Sequence, residues 1–179
     1  MRALIFDFGG VLMKTVDYGP RHRWDARLGL AAGSVERVVH GSASWIQAQT
    51  GAIPVAAYWA DVAAQLGLDN DAVRELAEDF YSGDRLDDAL IAYIRQQREA
   101  GRAVALLSND SPELESRLRR LDIIDLFDPL VISGKIGVMK PDAGAYRAVL
   151  DGLKRPAEDT LFIDDRADNV EGARALGIT

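Results

Sequence analysis

Residues 1–12 read MRALIFDFGGVL, and this stretch decides the fold. Ala3 to Phe6 is an apolar run without polar alternation, as expected of a strand buried on both faces. The run ends at Asp7, with Gly9 and Gly10 just behind. A carboxylate thus sits at a strand's carboxyl end, followed by a backbone free to bend tightly. Three later runs have the same form. Ala103 to Leu107 ends at Ser108, Asn109 and Asp110; Leu161 to Ile163 ends at Asp164 and Asp165; Leu130 to Ile132, the weakest, ends at Ser133 and Gly134.

Helical patterns separate these strands. Asp87 to Ala100 reads as a helix stopped by Gly101. Ser111-Pro112 looks like a cap with proline at the first helical position, leading into Glu113 to Leu121. Pro141-Asp142 opens a helix to about Leu150, and Ala167 to Leu176 is a last helix stopped by Gly177. Alternating strands and helices imply an α/β fold with a doubly wound parallel sheet. Residues 17–85 differ: His22 to Leu30, Val35 to His40, Val55 to Leu66 and Asp71 to Tyr81 look helical, with no convincing strand. The expected organisation is an α/β core from residues 1–16 and 86–179, with an all-helical cap inserted at 17–85. Such a block sits above the carboxyl ends of the strands, where α/β sheets place their ligands.

Composition narrows the function. The 179 residues are 48% hydrophobic, enough for a proper core. With 21 basic and 28 acidic residues the net charge is -7, and no basic patch suggests a nucleic-acid partner. Cysteine is absent, which excludes a disulfide framework and thiolate chemistry. The opening run is no signal peptide: Asp7 interrupts it after four residues, and no small-residue cleavage site follows. No apolar stretch approaches the roughly 20 residues needed to span a bilayer. The expectation is a cytoplasmic protein, monomer or homodimer, without membrane or nucleic-acid partners.

The strand ends carry complementary chemistry. In a parallel sheet Asp7, Ser108 and the Asp164-Asp165 pair lie side by side, and Lys140 follows the fourth strand into the same region. A carboxylate can attack phosphorus and split one displacement into two steps. Clustered carboxylates suit a hard cation such as magnesium, and Lys140 adds positive charge. Taken singly, Ser108-Asn109-Asp110 is an ordinary turn and Lys140-Pro141 a surface lysine before a helix; Asp164-Asp165 could cap the last helix, but two adjacent acids straight after an apolar strand are less often structural. Arg21-His22-Arg23-Trp24 reads as a solvated helix start in preference to a substrate-binding cluster whose arginines meet a phosphate or carboxylate, and Trp45 and Trp59 as cap core in preference to ligand platforms.

Together the four clusters resemble the motifs of haloacid-dehalogenase-like hydrolases, in that family's order. IFDFGGVL is similar to the first, LLSND to the second, GVMKPDAGAY to the third and LFIDDRADNVEGARALGI to the fourth. The helical block falls where this family carries a small cap. The resemblance implies Asp7 as nucleophile and metal ligand, and Gly9 as a backbone-carbonyl ligand. It implies Ser108 and Lys140 as catalytic groups that bind phosphate together with Gly9, Gly10 and Asn109. Asp165 would be the direct magnesium ligand and Asp164 a ligand through water, with Asn109 and Asn169 orienting these groups. The implied cofactor is Mg2+, and the implied partner is a small phosphorylated metabolite.

The pattern breaks in two places. Many phosphatases of this family carry a second aspartate two positions after the nucleophile, which protonates the leaving group and activates water; here that residue is Gly9. Water, the substrate or a cap residue such as His22 or His40 must then do this work. The family also continues past the point corresponding to Thr179 with another strand and helix, so an exposed sheet edge that favours association is expected. Two rival readings follow: a dehalogenase acting on carbon–halogen bonds, which needs no magnesium, and a catalytically weak binding or regulatory protein.

Overall fold

The computed structural model describes residues 2–179. In chain order, its first elements are β1 (Ala3–Phe6), β2 (Met13–Thr15), α1 (Gly19–Arg27), α2 (Ser34–Gly41) and α3 (Ala43–Gln49). Next come α4 (Val55–Leu66), α5 (Asn70–Phe80), β3 (Asp84–Leu86), α6 (Asp88–Glu99), β4 (Val104–Ser108) and α7 (Leu114–Arg120). The series ends with β5 (Leu130–Ile132), α8 (Ser133–Ile136), α9 (Ala143–Leu153), β6 (Thr160–Ile163) and α10 (Ala167–Arg174). They fall into two compact units. One runs from the amino terminus to Lys14, takes in Gln49–Gly51 and resumes over Leu86–Thr179; the other comprises Thr15–Ala48 and Ala52–Arg85.

The first unit is built on a four-stranded sheet of order β5-β4-β1-β6, with parallel pairing throughout. Strand residues alternate between two cores. Leu4, Phe6, Val104, Leu106 and Ile132 meet Ile91 and Ile94 of α6 and Leu114 and Leu118 of α7. Ile5, Ala105, Leu107 and Val131 meet Ala145, Tyr146 and Val149 of α9 and Ala173 of α10. Helices on both faces explain why β1 and Val104 to Leu107 of β4 are apolar without interruption, each Val, Leu, Ile or Phe there being worth about 1.5–3 kcal/mol of burial. Local chemistry sets the helix starts: Asp87 accepts from the N–H of Leu90, and Asp142 from that of Gly144. Thr179 pairs with β6, accepting from Phe162 N–H at 2.9 Å and donating to Thr160 at 3.3 Å.

The second unit packs five helices around Trp24, Val35, Val39, Tyr58, Val62, Leu76 and Phe80. Buried Asp25 joins α1 to α2, its carboxylate accepting from the N–H groups of Gly33 at 2.7 Å and Val35 at 2.8 Å. Arg21 is no solvated helix start. It is 4% exposed, lies over the Phe80 ring, and binds Glu36 at 2.7 Å, Asp84 at 3.2 Å and the Phe80 carbonyl at 3.0 Å.

Three sequence expectations need correction. α3 was hidden between Gly41 and Gly51, where only Ala43, Trp45, Ile46 and Ala48 give an apolar signal. β2 and β3 form a two-stranded sheet from runs of three residues, too short for periodicity to reveal. α7 begins at Leu114 rather than at Pro112, because Ser111 to Glu113 form a turn closed by Leu114 N–H on the Ser111 carbonyl. Among the described residues, no helix is long and apolar enough to cross a membrane.

Candidate active site

The parallel register does what the sequence reading asks of it. Phe6 pairs with Leu106 on one side and Ile163 on the other, so β1, β4 and β6 end at one edge. Asp7, Ser108, Asp164 and Asp165 leave the sheet there. Asp7 N–H donates to the Ile163 carbonyl at 2.9 Å, which continues the ladder one residue past the strand.

Lys140 is the hub. Its side chain is 1% exposed, and its ammonium lies 2.9 Å from Asp7 Oδ1 and 2.7 Å from Asp164 Oδ2. A buried ammonium is tolerated only with such partners. Asp164 is fully engaged: Oδ1 accepts from Arg166 N–H and Asn169 Nδ2, both at 2.9 Å, and Oδ2 also faces Asn169 at 3.1 Å. Asp165 is exposed. Ligand oxygens of Asp7, Asp164 and Asp165 all lie within 4.8 Å of one another. Two of these carboxylates meet the one ammonium and the third lies beside them, an oxygen-donor set with surplus negative charge that fits a hard divalent cation. Burial raises the pKa of Asp7 and Asp164 adds to the rise, while Lys140 opposes it.

The two glycines have different duties. Gly10 has φ +78°, and a Cβ there would stand 2.2 Å from Asp165 Oδ2, so only glycine admits that carboxylate. At Gly9 a Cβ would meet nothing within 4 Å.

Ser108 is 2% exposed at the end of β4, beside Ile132 of β5. The side chain of Asn109 is bound to the backbone of Lys140. Its Oδ1 accepts from Lys140 N–H and its Nδ2 donates to the Lys140 carbonyl, both at 2.8 Å. This two-point bracket fixes the backbone that carries the central ammonium. Gln49, sixty residues earlier, donates to the Asn109 carbonyl at 2.7 Å, and its own carbonyl accepts from Ser133 Oγ at 2.5 Å. No sequence signal pointed to Gln49, because its placement depends only on tertiary packing. The two histidines sit in different surroundings. His22 is exposed and stacks on Tyr18. His40 is packed among Trp45, Phe80 and Tyr81, and burial, helped by Arg21, lowers its pKa to about 4.

The family model for haloacid dehalogenase-like hydrolases matches residues 1–177. The chain belongs to this family. Its curated relatives include Phosphatase MT3486 of Mycobacterium tuberculosis, 32% identical over 98% of this chain and 84% of the relative. The sesquiterpene phosphatase astK of Aspergillus oryzae is 27% identical over 99% of this chain and 87% of the relative. The drimenol cyclase drtB of Aspergillus calidoustus is 29% identical, and this chain spans only 33% of its length. A solved family enzyme of Bacteroides thetaiotaomicron, in complex with magnesium and inorganic phosphate, shares the fold at TM-score 0.81. It is 21% identical, with 100% of this chain and 92% of that one covered.

Proposed function

We propose that the chain is a magnesium-dependent phosphatase of small phosphate monoesters. The observation that carries this reading is the Lys140 ammonium between Asp7 and Asp164, beside a third carboxylate, Asp165, left open. Asp7 is the nucleophile. It attacks phosphorus, the bond to the leaving oxygen breaks, and water then displaces phosphate from the aspartyl-phosphate. Lys140 steadies Asp7 and takes up negative charge on the phosphoryl group, and Ser108 donates a hydrogen bond to it. Asp7, Asp165 and the Gly9 carbonyl would hold magnesium, with Asp164 acting through water, and the ion supplies charge neutralisation at phosphorus. Asp164 suits the indirect role because Lys140, Asn169 and Arg166 N–H occupy its oxygens. The three-carboxylate donor set also weighs against the dehalogenase rival, which has no use for a cation.

The test is hydrolysis of p-nitrophenyl phosphate by the purified chain with and without magnesium, beside Asp7→Asn. Turnover that needs magnesium and is lost in the variant supports the reading; turnover that survives Asp7→Asn overturns it. A panel of sugar, amino-acid and prenyl phosphates then assigns the substrate, the last included because one relative is named a sesquiterpene phosphatase.

A further inference from the structure

Phosphate ester hydrolysis needs a proton moved twice, and the site described so far has no group to move it. An alkoxide leaving oxygen needs a proton as its bond to phosphorus breaks, and water must lose one as it attacks the aspartyl-phosphate. Gly9 has no side chain, and His40, neutral above about pH 4, is a poor donor. We propose that Asp110 is the general acid and base of this site, an inference that rests on the phosphatase reading above.

Position comes first. Asp110 lies two residues beyond Ser108, at the carboxyl end of β4, the strand paired directly to the one that ends at Asp7. Its backbone is pinned from both sides: its N–H donates to Ser133 Oγ at 3.0 Å, and its carbonyl accepts from Gly134 N–H at 3.0 Å. Oδ1 accepts from Ser111 N–H at 2.6 Å, which fixes the carboxyl just beyond the strand end. The residue is partly exposed, more so than buried Asp7.

The electrostatics suit the task. Burial pushes the carboxyl up to about 6; Asp7 adds to the rise, while the Ser111 hydrogen bonds and Arg117 of α7 oppose it. A carboxyl of that strength holds its proton about half the time near pH 6 and gives it up readily, as an acid–base catalyst must. In the first step the bond from Asp7 to phosphorus forms, the bond from phosphorus to the leaving oxygen breaks, and the Asp110 proton passes to that oxygen. In the second step the Asp110 carboxylate takes a proton from water as the water oxygen bonds to phosphorus. The bond from phosphorus to Asp7 then breaks, freeing phosphate and restoring both carboxyl groups.

The experiment uses leaving groups of different basicity. Asp110→Asn keeps an oxygen for Ser111 N–H but cannot carry the proton. It is expected to lose about 10²-fold or more in kcat/KM on an alkyl phosphate, whose leaving oxygen needs a proton, and about tenfold or less on p-nitrophenyl phosphate. Adding Gly9→Asp to that variant is expected to restore alkyl phosphate turnover, since a Cβ at position 9 meets nothing within 4 Å. Equal losses on both substrates, or no loss, overturn the proposal. So does a steep dependence of wild-type turnover on leaving-group basicity, a measurement that needs no variant. Asp7→Asn keeps the two claims apart: it must abolish turnover of both substrates if the phosphatase reading holds, whatever Asp110 does.

Discussion

Lys140 shows how much one side chain can carry. It is buried, and its ammonium is the shared partner of Asp7 and Asp164. Lys140→Met removes the charge and keeps the length, leaving two carboxylates without their cation. The expected loss is about 10²–10³-fold in kcat, with stability lowered by about 3–5 kcal/mol because a buried pair is broken from one side. Enzyme assay and urea denaturation read the two effects separately. Asp110 adds a pH signature. Its folded pKa, about 6, lies above the unfolded value near 3.9, so its contribution to stability is full below the unfolded value and is lost as pH rises through about 6. Asp110→Asn is therefore expected to fall less in melting temperature than wild type between pH 4 and pH 7.

At the scale of elements, the strands were legible because they are apolar and buried on both faces, and each ends abruptly in a polar cluster. The motif residues were legible as a group for the same reason, since those strands end at one edge of the sheet. What stayed hidden was set by packing. The side chain of Asn109 looked like a ligand for phosphate, but it brackets the Lys140 backbone. Gln49 joins the first unit from the middle of the helical block. Arg21 looked solvated because its partners Glu36 and Asp84 are remote in sequence. The helical unit also carries a titration. Burial holds His40 at a pKa of about 4, below the unfolded value near 6.5. Its contribution is present above pH 6.5 and lost as pH falls toward 4. Acid melting curves should show this slope in wild type, and His40→Phe should flatten it.

Across the whole molecule, residues more than 150 positions apart meet because a parallel sheet sets the ends of its strands side by side: Asp7 and Asp165 share one oxygen cluster. A cation bound there stabilises the folded state by mass action, by about 2.7 kcal/mol at a hundredfold excess over Kd. Magnesium is expected to raise the melting temperature of wild type and to have no such effect on Asp165→Asn. Gly10→Ala should reduce the magnesium shift, because its Cβ would collide with the Asp165 carboxylate.

The central claim is that Asp7 becomes phosphorylated. Turnover of a phosphate ester carrying a radiolabelled phosphoryl group, quenched in acid and followed by digestion and mass spectrometry, tests it directly. The account predicts a phosphoryl group on the peptide bearing Asp7, formed only with magnesium and absent in Asp7→Asn. Label on another residue, or full turnover with no phosphorylated peptide at any quench time, would contradict it.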